Sequence, residues 1–100
     1  MFIAIVDFKV MPKDRPGALA ALLAEAEAVR AMQGNIGFHA YPDPTVHEAI
    51  RVFHEWEDES SFQTYSASGE FTRLGGRLRP LMTEPPVSRR MTATLLETVR

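Results

Sequence analysis

One hundred residues, 45% hydrophobic and 24% charged with a formal net charge of −2, form an ordinary globular composition with room for one domain spanning 1–100. There is no basic excess to attract nucleic acid. The absence of cysteine removes disulfides, thiolate metal sites and thiol nucleophiles, and it fits a reducing cytoplasm. The apolar N-terminal run stops at Asp7, too short for a signal-peptide core or a spanning helix, so no membrane association is expected. A domain of this size buries only about two-thirds of its unfolded surface, which makes a homodimer an expected source of further stability.

Residues 2–10 alternate, with Phe2, Ala4, Val6, Phe8 and Val10 forming one apolar face of a first strand. Asp14 is a candidate helix N-cap and Pro16 fits a first helical turn. From there to residue 33 an Ala-, Leu- and Glu-rich helix is expected, with Leu19, Leu22, Leu23, Ala26 and Val29 on its apolar side. Gly34 stands where a left-handed C-terminal cap is wanted.

Residues 36–41 and 49–57 read as an antiparallel hairpin around a loop containing Pro42 and Pro44. If Tyr41 pairs with Ala49, the even positions Ile36, Phe38, Ala40, Ile50, Val52, His54 and Trp56 share the apolar face. His54 and Trp56 then stand together between sheet and helices, with His39 on the opposite side.

Asp58 or Ser60 can cap a short helix bearing Phe62 and Tyr65 at i, i+3. Phe71, Leu74 and Leu78 continue a helical stripe that Gly75 and Gly76 weaken and Pro80 closes. Residues 89–99 alternate well enough for a long last strand. The order strand, helix, strand, strand, helical pair, strand is the ferredoxin-like split βαβ arrangement, an α+β fold with a four-stranded antiparallel sheet. Its uncovered sheet face strengthens the expectation of a dimer.

Trp56 is either a large core residue or the wall of a pocket, and its indole N–H needs a partner in both cases. His54 is either a satisfied interior histidine or a general base or hydrogen-bond donor. Tyr65 either packs helix on sheet or orients a polar substrate. Phe8, Phe38, Phe62 and Phe71 are the aromatic candidates for contact with a substrate. His39 and His47 read as surface or loop residues. No HxH, HxxxH or HExxH spacing supports a metal, and no glycine-rich phosphate loop or Ser-His-Asp set is present. Arg73, Arg77 and Arg79 read as a solvated basic face or as partners of the acidic turn 57–59.

Residues 34–43, the strand end Glu55-Trp56-Glu57-Asp58, the short helix 60–66 and residues 71–81 resemble the antibiotic biosynthesis monooxygenase family. The resemblance implies a homodimer whose sheets pack face to face into an α+β barrel. For some members it also implies oxygenation of phenolic or quinol-like aromatic molecules by molecular oxygen without cofactor or metal. Trp56 would position the ring, His54 would act as base and Tyr65 would orient the oxygen substituent. A non-catalytic ligand-binding dimer is the alternative, and an isomerase or lyase on the same scaffold is a third. Many members carry histidines where this chain has Tyr65 and near Glu70. The heme-degrading branch has asparagine and histidine where this chain has Phe8 and Gly75, so the resemblance does not extend to heme degradation.

Overall fold

The computed structural model describes residues 1–100. Strand β1 (Phe2–Lys9) leads through a 3-10 turn (Pro12–Asp14) into helix α1 (Arg15–Arg30). Strands β2 (Asn35–Pro42) and β3 (Ala49–Trp56) follow, then helices α2 (Glu59–Ser66) and α3 (Gly69–Leu78), a second 3-10 turn (Arg79–Leu81) and strand β4 (Val87–Thr92). The sheet order is β2-β3-β1-β4 and every pairing is antiparallel. This is the expected α+β ferredoxin-like arrangement, with the helices over one sheet face.

Parity decides what each strand presents to that face. The even residues Phe2, Ala4, Phe8, Phe38, Ile50, Val52, His54 and Trp56 are buried, and they meet Ala18, Leu22, Ala26 and Val29 of α1 and Leu74 and Leu78 of α3. The hairpin register differs from expectation by two residues, Tyr41 lying opposite Arg51 rather than Ala49. A two-residue shift preserves parity, so His54 and Trp56 stay on the core face. The exception is Ile36. A bulge between Asn35 and Gly37 turns it outward, leaving it 52% exposed instead of in the core.

Other boundaries also differ from the sequence reading. Asp14 makes no side-chain cap, because the 3-10 turn runs directly into α1 and leaves Asp14 with helical backbone angles. Leu23 is exposed, since the buried stripe follows Ala18, Leu22, Ala26 and Val29 and Leu23 lies about 100° further round. Helix α1 ends at Arg30 instead of residue 33, and Gly34 supplies the left-handed turn with φ +83°. A β-carbon at Gly34 would collide with Ser61 Oγ, so this position needs glycine for both conformation and space.

Asp58, rather than Ser60, caps α2 by accepting from Ser61 N at 2.8 Å, and this hydrogen bond holds the Asp58 carboxyl below its usual range. Ser68 caps α3 through Phe71 N at 3.2 Å. Helix α3 continues through Gly75 and Gly76 to Leu78. Strand β4 stops at Thr92 instead of reaching residue 99, because β1, its only partner, is used up at Phe2.

The opposite sheet face carries Ile3, Ile5, Asp7, Phe53, Tyr41, Arg51, Arg89 and Met91. Arg51 donates to both Asp7 carboxylate oxygens at 2.7 and 3.0 Å, and Arg89 adds a third contact at 3.2 Å. The paired guanidinium of Arg51 lowers the Asp7 pKa.

Candidate functional site

Between the core face of the sheet and helices α2 and α3 lies a cavity of about 200 Å³. Its floor follows from one cross-strand row, in which Phe38, His54, Ala4 and Arg90 stand side by side on β2, β3, β1 and β4. Alanine at the third position leaves the space that a larger side chain would fill. Phe62 and Tyr65 of α2 and Phe71 and Leu74 of α3 form the roof. Phe8 also lines the cavity, so all four expected aromatic contact residues, Phe8, Phe38, Phe62 and Phe71, are brought to one space.

The roof and floor are tied by aromatic contacts. His54 lies 5.5–5.7 Å between ring centroids from Phe38, Phe62 and Tyr65. Tyr65 stacks on Trp56 at 5.3 Å and meets Phe71 edge-on at 5.5 Å. Such pairs contribute about 0.5–1.5 kcal/mol each beyond buried area, so α2 is held firmly over the strand pair. The edge strand is fixed by Arg30, whose Nε and Nη2 donate to the Phe38 carbonyl at 3.0 and 2.7 Å.

Trp56 is fully buried and does not line the cavity; its ring sits behind that of His54. Its Nε1–H donates to His54 Nδ1 at 2.8 Å. An indole nitrogen can only donate, so Nδ1 must be the acceptor and the neutral imidazole carries its proton on Nε2. Nε2 makes no hydrogen bond within the protein and is not sealed away from solvent, so the Nε2–H meets cavity space. Burial, followed by the nearby Arg90 charge, lowers the His54 pKa to about 4. Near neutral pH the cavity therefore receives a hydrogen-bond donor from His54.

Tyr65 is buried with its hydroxyl free of any protein partner. Burial and then the Glu25 and Glu70 charges push its pKa up to about 12, which keeps the phenol protonated. Glu25, though on α1 and buried, belongs to a clamp between α1 and α3. Arg73 Nε and Nη2 donate to its two oxygens at 3.0 and 3.3 Å and lower its pKa. The Arg73 partner is thus Glu25, not the acidic turn.

Arg90 was not among the expected site residues, and Arg79, exposed as expected, reaches the cavity rim as well; both line the cavity. The parity of β4 was the signal available for Arg90, since even residues of every other strand face the helices. His39 and His47 are exposed, and His39 lies on the open side beside Arg30. No three His, Cys, Asp or Glu side chains come together in a group able to hold a metal ion. No helix is long and apolar enough to cross a membrane.

A family model described as "Antibiotic biosynthesis monooxygenase" matches residues 1–75. A Nitrosomonas europaea protein described as a candidate antibiotic biosynthesis monooxygenase superposes with a TM-score of 0.89 at 13% identity, covering 95% of this chain and 100% of its own. Rv0793 from Mycobacterium tuberculosis gives 0.85 at 19% identity with 98% of each chain covered. A conserved protein from Methanosarcina mazei Go1 gives 0.86 at 18% identity with 94% of each covered. At these identities the structural likeness shows the fold. None of the curated proteins matches the sequence significantly.

Proposed function

The chain belongs to the antibiotic biosynthesis monooxygenase family, and from that premise we propose that it is a cofactor-independent monooxygenase for a small phenolic or quinol-type aromatic molecule. The observation that carries this reading is the His54 Nε2–H, presented by Trp56 into an aromatic cavity that Tyr65, with its hydroxyl free of protein partners, also lines. The substrate ring lies among Phe38, Phe62 and Phe71; its hydroxyl proton passes to solvent water at the open mouth of the cavity, and the oxyanion left behind accepts from His54 and Tyr65. Fixed donors in a largely apolar cavity stabilise such an anion without the reorganisation that water must undergo. The electron-rich carbon conjugated with that oxygen then reacts with molecular oxygen. The resulting peroxide collapses, one oxygen atom staying on the carbon as a quinone carbonyl and the other leaving as water.

In this scheme His54 holds the substrate anion instead of removing its proton, because Trp56 occupies the only lone pair that a neutral imidazole has free for proton abstraction. Trp56 is a positioning residue acting through His54. The active form is a homodimer closed over the open sheet faces. A non-catalytic ligand-binding dimer is the second reading, and it is favoured by the same hydrogen bond, which leaves the cavity without a free side-chain base. Oxygen consumption with anthrone- and quinol-type substrates distinguishes the two. His54→Ala is expected to lower the rate about 100-fold, the usual effect of losing one preorganised donor to a developing anion. Full activity in the variant would remove His54 from the mechanism.

A further inference from the structure

We propose that the cavity is built for an anionic ligand: a flat, largely apolar molecule of one or two rings whose carboxylate, or an oxyanion of similar strength, pairs with Arg90. This rests on the reading of the cavity as a small-molecule site, and it is independent of whether oxygen reacts there.

Arg90 stands on the helix side of β4 in the same cross-strand row as His54, with only Ala4 between them. Its guanidinium carbon lies 4.8 Å from the centroid of Phe62, a cation–π contact that holds the charge against the apolar roof. The residue is exposed as well as cavity-lining, which places the guanidinium where the cavity meets solvent.

The charge of Arg90 is unanswered within the protein. Two arginines and one histidine line the cavity, without a single Asp or Glu. The acids that other arginines and Lys9 use are already engaged. Asp7 lies on the opposite sheet face with Arg51 and Arg89, Glu25 and Glu70 face Arg73, and Glu84 faces Lys9. Arg89 and Arg90 are chain neighbours with opposite fates: one completes an ion pair on the open face, and the other has no carboxylate partner. His54 adds an Nε2–H close by, so the polar groups at this end of the cavity are donors. An apolar wall lowers the effective dielectric around the cation and strengthens its attraction for an anion above that on open surface. Arginine also offers a planar pair of donors that matches a carboxylate.

The test compares 1-hydroxy-2-naphthoate with 1-naphthol, which differ by the carboxylate, in calorimetric titrations under argon. The wild-type protein is expected to bind the naphthoate at least about tenfold more tightly than the naphthol, and Arg90→Gln to reduce that ratio to about twofold or less. Raising salt from about 50 to about 500 mM should weaken the naphthoate alone, a check needing no variant. Equal affinities in the wild type, a preference that survives Arg90→Gln, one that falls only with Arg79→Gln, or failure of both ligands to bind would overturn the proposal. Selective naphthoate binding without oxygen uptake in air would sink the oxygenase reading and leave this one standing. Oxygenation of neutral quinols with no carboxylate preference would do the reverse.

Discussion

His54 and Trp56 stand two positions apart on one strand, with Glu55 between them, so a shared face follows from parity alone, and that much is legible in the sequence. Their division of labour is not, because it depends on which ring lies nearer the cavity and on the 2.8 Å hydrogen bond between them. That bond converts an expected base into a donor and moves Trp56 from the wall to the layer behind it. It also predicts the pH dependence. A histidine with a folded pKa of about 4 and an unfolded value of 6.5 makes the unfolded chain the stronger proton binder between those limits. His54 therefore contributes stability that is fully present above about pH 6.5 and lost as pH falls to about 4, by at most about 3 kcal/mol. Denaturation from pH 7 to 4 should show a steeper loss for the wild type than for His54→Gln, which keeps an acceptor for Trp56; identical slopes would rule out the burial account. Imidazole nitrogen resonances should report the Nε2–H form and little titration above pH 5.

At the scale of elements, strand and helix order, the α1 stripe, the Gly34 turn and the aromatic pairing of α2 are readable because each rests on local spacing. Three features depend on partners that spacing does not reveal. The bulge that expels Ile36 is set by pairing across to Trp56 and Glu55, and the end of β4 is set by the length of β1. The place of Arg90 depends on the register of β4 against β1. The two kinds of glycine make a matched prediction. Gly34→Ala should lower stability by about 2 kcal/mol or more, since it meets both a positive φ and Ser61. Gly76→Ala, with nothing within 4 Å of the added carbon in helix α3, should raise it by about 1 kcal/mol. Thermal melts of the two variants should move in opposite directions; a stabilised Gly34→Ala would contradict the turn assignment.

At the scale of the whole molecule, one sheet face is covered by helices and the other carries Ile3, Ile5 and Phe53 around the Asp7–Arg51–Arg89 ion pairs. Ile5 and Phe53 lie opposite one another on the two central strands, at the middle of this face. The proposed homodimer buries that centre, so sedimentation at micromolar concentration should give twice the chain mass, and Phe53→Glu should give a folded monomer. A monomeric wild type would contradict the paired-sheet arrangement.

In the proposed reaction one atom of molecular oxygen enters a small aromatic molecule held in the His54 cavity. Single-turnover reaction of the purified protein with a quinol-type substrate under ¹⁸O₂, read by mass spectrometry, tests it most directly. One labelled oxygen is expected per quinone product and one in water, at a rate that falls with His54→Ala. Substrate bound, as seen by a change in Trp56 emission, but recovered unlabelled and unoxidised would contradict it and leave a ligand-binding dimer.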